Sequence, residues 1–413
     1  MRATDFRQKF APPWSKLMVD LLPHGWTQAQ LGDLADWFSG GTPRTSEASY
    51  WNGDIPWITS GSLTQFYLRD SARRLTVLGL KHGSRLVPVN SIIFVVRGMS
   101  LKTEFRIGIT RRPVAFGQDC KALVPNPTVD PLFLAQAIRA RTDVVLAMVD
   151  EAGHGTGRLA TDRIKSLSIA LPPIQEQRAI ASVFSALDDK IEANQRTIQV
   201  EEELATRLVD QAPIQLPLNK IAAVQRTSIN PALSGTTMVD HFSLPAFDHE
   251  RLPLRQAGAK IKSGKLRIDN VSVLVSRLNP HIPRVWYAVS EPGVLAVAST
   301  EFVMLTPTNN VTAEEVWACC NTSGFIKTLA ESVTGTTGSH QRVQASDVLS
   351  MEVGDPRSIP NVQRTVVQAM VQSAYLLRKE SILLAKIRDT LLPKLLSGSL
   401  RIHKVETLLE SMT

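Results

Sequence analysis

The sequence predicts an α+β protein built by internal duplication, with two globular halves and two long helices. Three observations carry this. Residues 174–211 contain no Gly or Pro and hold an apolar stripe that steps alternately by four and three. Residues 361–396 carry a stripe of the same steps, each member 186 residues after its counterpart. The segments ahead of the two stripes also resemble each other: Gly153 to Pro173 and Thr334 to Pro356 share a Gly/Thr-rich loop, a short amphipathic segment and a closing proline.

In chain order, residues 1–23 read as an extension, and Pro23-His24-Gly25-Trp26 as the turn into a first globular half, 24–173. Leu31 to Phe38 suits a short amphipathic helix or strand. Ser39-Gly40-Gly41-Thr42-Pro43 is a turn-rich loop, and Asn52-Gly53 before alternating apolar residues is a turn signal. Ser91 to Val96 has the β-branched content of a buried strand and runs into Arg97-Gly98. Leu132 to Met148 reads as a helix, and Trp51 and Trp57 as core.

The central helix, 174–212, starts at Leu171-Pro172-Pro173, because proline is tolerated in a first turn and the residue before it avoids the helical region. Pro213 and Pro217 stop it. Its stripe runs through Ile180, Phe184, Leu187, Ile191, Asn194, Ile198, Glu201, Ala205 and Leu208. This 3.5-residue period belongs to a helix packed along its length against another helix. At ~1.5 Å per residue the rod is roughly 55 Å long. Asp188-Asp189-Lys190, beside the seam, reads as a solvated face.

The second globular half, 213–357, follows a similar plan. Val271 to Val275 is its strand, with Ser276-Arg277-Leu278-Asn279 where Arg97-Gly98 stood. Val294 to Met304 is a further strand and Ala313 to Glu331 a helix. Residues 358–413 form the C-terminal helix and tail, whose stripe is Val366, Met370, Ser373, Leu377, Glu380, Leu384, Ile387 and Leu391. The expected seam therefore joins Phe184, Leu187, Ile191, Asn194 and Ile198 to Met370, Leu377, Glu380, Leu384 and Ile387. The polar members Asn194 and Glu380 coincide in the repeat, as residues that fix register do.

A chain of 413 residues suits two domains plus helices, and 43% hydrophobic with 20% charged residues is globular composition. No apolar run approaches the ~20 residues that cross a bilayer, and the N-terminus lacks the pattern of a secretory signal. Cys120 and the adjacent Cys319 and Cys320 have no zinc spacing, so neither metal nor disulfide framework is expected and the cytoplasm is the default. A net charge of +8, held mostly in the globular halves, argues for a polyanionic partner. No catalytic motif is present. Gly264-Lys265 is followed by Leu266, where a phosphate loop would carry Ser or Thr, and Gly153 to Gly157 lacks the strand-to-helix setting of a cofactor loop. HExxH, GxSxG and the Asn/Asp-Pro-Pro-aromatic motif of amino-methyltransferases are absent.

Leu171 to Ile191 (LPPIQEQRAIASVFSALDDKI) resembles the central region of the specificity subunit of type I restriction-modification systems. His24-Gly25-Trp26 with Leu31-Gly32-Asp33, Gly40-Gly41-Thr42-Pro43 and Tyr50 to Ile58 resemble the opening of that family's first target-recognition domain. Phe116-Gly117-Gln118 and Gly155-Thr156-Gly157 resemble its later landmarks, Val273 to Pro280 with Val285-Trp286 the second domain, and Leu391 to Gly398 the C-terminal ending. One departure is that the second half ends Gly354-Asp355-Pro356 to Pro360 and lacks the PPIQEQ form.

The resemblance implies a non-catalytic DNA reader with pseudo-two-fold symmetry. Two target-recognition domains, separated by an antiparallel coiled-coil helix pair, each read one half of a gapped asymmetric site in double-stranded DNA. Two methyltransferase subunits carrying S-adenosylmethionine dock on the frame, and two restriction subunits using ATP and Mg complete the complex. No cofactor is expected on this chain. Base edges are read by Arg, Lys, Asn and Gln from loops, while Ser, Thr and backbone groups hold phosphates. The candidates in the first half are Thr42, Arg44, Thr59, Ser60, Arg97, Lys102 and Arg106. In the second they are Lys260, Lys262, Arg277, Asn279, Arg284, Thr336, Thr337, His340, Gln341 and Arg342. Two other readings remain open at this point: a DNA-binding protein that acts without partners, and a coiled-coil scaffold that never touches DNA.

Overall fold

The computed structural model describes residues 22–152, 155–332 and 341–402. It forms two compact units, one of Met1–Asp188 with Lys386–Thr413 and one of Asp189–Ala385. Each of the two long helices, Ile174–Asp210 and Asn361–Leu396, contributes residues to both units.

In the first unit, Ile92–Val95 is buried at every residue, as an unbroken run of β-branched and aromatic side chains demands. It lies at the centre of a five-stranded sheet ordered Ala35–Ser39, Cys120–Pro125, Ile92–Val95, Ile107–Thr110, Tyr67–Leu68. A four-stranded sheet is ordered Arg74–Leu75, Trp51–Ile58, Val114–Phe116, Leu86–Val87, with its two central strands parallel. The Asn52-Gly53 signal is spent on a bulge at the start of a strand, not on a hairpin turn. Asn52 has a φ of 63°, the register shifts between Trp51 and Ile55, and a Cβ at Gly53 would meet the Leu75 carbonyl. Leu31–Asp33 is a 3-10 turn followed by the strand Ala35–Ser39, so both expectations for 31–38 are partly met. The helix expected at 132–148 is two helices, Pro131–Arg139 and Thr142–Leu146. The Thr142 hydroxyl donates to the Arg139 carbonyl at 2.7 Å, a local bond that competes with the helical ladder.

The second unit repeats the plan. Ala222–Val224, Phe302–Pro307, Ser272–Ser276 and Val285–Ala288 form an antiparallel sheet in the order of the first four strands above. Its second sheet is ordered Ser228–Ile229, Lys265–Ile268, Leu295–Ala298, Met238–Phe242, Leu254–Ala257, again with one parallel pair, Met238–Phe242 with Leu295–Ala298. In each unit a short strand that leads into the globular part pairs with the one that leaves it: Thr27–Gln30 with Ser168–Leu171, and Gln215–Pro217 with Glu352–Gly354. The expected strand 294–304 is two strands, turned at Ser299, and the helix 313–331 is broken where Thr322 caps a new helix at Ser323.

The helices complete both cores. Ile180, Phe184, Leu392 and Leu395 pack with the first unit's sheet, and Ala205, Val209, Val367 and Val371 with the second's. Within the second unit Asn194 donates to Glu380 at 2.7 Å, so these two stripe residues do meet, and Arg378 pairs with Glu202. Each unit's helix segments run antiparallel.

Three expectations change. The most buried line of the C-terminal helix is Val367, Val371, Ala374 and Ser381, one residue after the expected stripe, because this helix also packs on the globular core. Ile387, assigned to the seam, is 38% exposed, whereas Phe184 is fully buried. Asp188 is not on a solvated face: it is 7% exposed and accepts from Arg388 at 2.7 Å and the Tyr67 hydroxyl at 3.0 Å.

Two outcomes follow for stability. Phe184→Ala leaves a cavity and costs about 3–5 kcal/mol, while Ile387→Ala changes stability by less than about 0.5 kcal/mol; denaturant midpoints compare them. His241, on strand Met238–Phe242, is held down to about 4 by burial and by Lys265. The unfolded ring, near ~6.5, binds its proton first, so stability is full above that value and falls as pH drops toward about 4. His241→Gln should flatten that part of a melting-temperature profile.

Candidate nucleic-acid interface

The duplication allows the two units to be compared position by position. The main-chain N–H of Leu159 donates to the Val96 carbonyl, and that of Val343 to the Arg277 carbonyl. The N–H of Val96 donates to Asp119, and that of Arg277 to Glu301. Arg277 therefore stands where Val96 does, Leu278 where Arg97 does, and Asn279 where Gly98 does. Both of the last have positive φ, 50° and 152°, a conformation that favours Gly and Asn. Arg158 and Arg342 occupy equivalent positions on the strand opposite.

In the first unit this edge is basic. Arg97 and Arg158 are both exposed and stand directly across paired strands. Like charges so placed repel. Asp150 faces Arg158 on the other side, but its carboxylate is 2.7 Å from Arg163. Lys102 is exposed, with Glu151 at 4.0 Å. Ser60 lies beside Gly98 and its carbonyl accepts from Arg106 at 3.2 Å. The structure thus brings Ser60, Arg97, Lys102 and Arg106 together and adds Arg158, which sequence reasoning missed. Only knowledge of the strand pairing would have found it. The Thr59 hydroxyl is 3.2 Å from that of Ser62, in a local turn. Thr42 and Arg44 are exposed in the loop that leaves strand Ala35–Ser39.

In the second unit, Arg277, Asn279, Gln341 and Arg342 converge around the Leu278–Arg342 bridge. Arg277 donates to the Val343 carbonyl at 3.2 Å and reaches Gln344 at 3.4 Å. Arg342 makes two bonds to Glu301, at 2.9 and 3.1 Å. The Asn279 side-chain oxygen is buried without a partner. Thr336, Thr337 and His340 lie outside the described residues. Lys260, which ends the 3-10 turn Gly258–Lys260, and Lys262, on the loop after it, are exposed, and among the described residues no hydrogen bond or ion pair joins them to this cluster.

Arg106 and Arg284 are also equivalent, since each carbonyl accepts from the strand residue Val95 or Ser276. Both side chains serve as ties. Arg284 is 9% exposed and makes a two-bond pair with Asp248, at 2.6 and 2.8 Å, that holds this carboxyl below its usual range. Arg106 joins Glu104 at 2.8 Å and Ser60. A guanidinium engaged in this way keeps fewer donors for a ligand.

Among the described residues, no group of three or more His, Cys, Asp or Glu is placed to hold a metal ion. No described helix is long and apolar enough to cross a membrane.

Residues 23–202 match the family described as the type I restriction modification DNA specificity domain. The EcoR124I/EcoR124II specificity subunit of Escherichia coli is 28% identical over 160 residues, 38% of this chain and 40% of that protein. The MjaIX specificity subunit of Methanocaldococcus jannaschii is 24% identical over 94% of this chain and 96% of its own length. The crystal structure of a type I restriction-modification S subunit from M. genitalium shares the fold, with a TM-score of 0.60 at 15% identity, covering 91% of this chain and 97% of that one. Residues 23–202 thus match a type I restriction modification DNA specificity domain, and the chain is similar along most of its length to a type I specificity subunit.

Proposed function

We propose that this chain is the DNA-reading subunit of a type I restriction-modification complex. Each unit reads one half of a gapped, asymmetric duplex site through its strand-to-loop edge. The long helices set the gap and dock methyltransferase subunits that carry S-adenosylmethionine; restriction subunits using ATP and Mg join the full complex. The observation that carries this reading is the repeated edge. In each unit the same strand exit, with a positive φ at Gly98 or Asn279, carries arginines: Arg97 with Arg158 across from it in the first, and Arg277, one position earlier, with Arg342, held by Glu301, in the second. Side chains on loops held by a sheet suit base edges and phosphates. The exposed Arg97 and Arg158 repel each other until an anion lies between them, which favours a phosphate-bearing partner over a scaffold role. Arg284 and Arg106 act chiefly as ties that hold the loop in shape.

The reading is tested by mapping methylated bases in cells that carry this chain with its methyltransferase, against cells that lack it. The expected outcome is a two-part motif with a fixed gap that disappears with the chain. Unchanged methylation with an assembled complex would overturn it. An insertion of four residues near Asn194 should lengthen the gap and leave both halves of the motif intact; an unchanged gap would sink the spacer role. Arg97→Ala and Arg277→Ala should each weaken one half-site alone, by roughly 1–3 kcal/mol. Binding to duplexes altered in one half at a time measures this, and equal loss at both halves would assign the residue to the fold.

A further inference from the structure

A second comparison between the units concerns the outer antiparallel strand pair of the matching sheets. Pro125 faces Ala35 in the first unit, and Pro307 faces Ala222 in the second. Counting from these matched pairs, Lys121 faces Ser39 in the first unit, and in the second the equivalent pair is Val303 and Arg226. Cross-strand partners share one face of a sheet. Each unit therefore keeps a single cation at this place, but from opposite segments: Lys121 on the inner strand of one, Arg226 two residues past the edge strand Ala222–Val224 of the other. A charge retained in space while both residues change is hard to explain by packing, since neither cation fills a core.

Neither charge is neutralised by a neighbour. Lys121 Nζ donates to the Ser39 hydroxyl at 2.6 Å, which orients the ammonium without cancelling it. Arg226 is exposed and carries no ion pair among the described residues. In the second unit the cation borders a groove of about 520 Å³ that also holds Arg277, Ser228, Thr300 and Ser346. Two guanidinium groups with hydroxyls around them form a donor set for phosphate oxygens.

We infer that Lys121 with Ser39, and Arg226 with Arg277, form equivalent subsites for a DNA backbone phosphate, one in each unit. The inference rests on the DNA-reading function proposed above and adds, at Lys121 and Arg226, contacts that position the duplex without reading its sequence. Neutralising one phosphate contributes about 0.9 to the slope of log affinity against log salt. Anisotropy titrations of the full chain with double-stranded DNA of mixed sequence, over a range of salt, measure that slope.

Lys121→Val should reduce the slope by about 0.9, and so should Arg226→Ser. Adding Ser39→Arg to Lys121→Val moves the cation across the strand pair, as in the second unit, and should restore both slope and affinity. A steep wild-type slope that neither single variant changes would overturn the subsites and leave the DNA-reading function standing. A slope lost in Lys121→Val and not restored by Ser39→Arg would overturn the equivalence of the two positions. No salt-dependent binding by the wild-type chain would defeat the DNA-reading function itself. Unchanged melting temperatures of the variants separate lost contacts from lost fold.

Discussion

A helix of 37 residues holds together in water only where its apolar stripe is covered, and here that cover is divided. Ile180 and Phe184 are sealed by the first unit's sheet and by Leu392 and Leu395, while Ala205 and Val209 are sealed by the second unit's core with Val367 and Val371. Neither globular part has a complete core without the helix residues. The rods are thus part of the hydrophobic interior of each unit, which makes each globular part rigid with respect to the helix segments it rests on.

Buried charge fixes that attachment. In the first unit Asp188 binds Arg388 and Tyr67, with Gln136 at 3.4 Å. In the second, Glu315 is fully buried and binds Arg364 at 2.6 and 3.0 Å while it caps its own helix through Thr312. Such pairs add little net stability over an apolar contact, but removing one partner strands a charge in a low-dielectric interior. Their effect is on geometry: a helix rotated or shifted by one residue would leave a carboxylate unpaired. The Asn194–Glu380 contact acts in the same way between the helices of the second unit.

The basic residues divide by what already holds them. Arg284 and Arg106, at matching positions, are drawn into bonds with their own unit and shape the loops. Arg97, Arg158 and Arg226 are exposed and, among the described residues, carry no carboxylate ion pair; Arg97 lies on an edge strand and Arg158 on the strand beside it. The duplication sharpens this division, because a tie repeated in both units marks scaffolding, and a cation that has changed strand marks a demand for charge alone.

The long helices, their shared period, the duplicated order of elements and the likeness to type I specificity subunits were legible in the sequence, since each depends on local periodicity, helix breakers or short motifs. The placement of Asn194 against Glu380 followed from the same period. Other features depend on which strands pair. Arg158 comes to face Arg97 across 61 positions of chain, and Arg226 stands where Ser39 does while Val303 stands where Lys121 does, through sheet register that no local pattern encodes. The burial of Asp188 and the exposure of Ile387 depend on a second packing surface, the globular core, that a two-helix pattern does not contain. Sequence by itself determined that this is a duplicated protein with a helical frame. Tertiary structure decided which of its arginines are already bonded and which remain to meet a ligand, because only packing sets the distance between a guanidinium and a carboxylate.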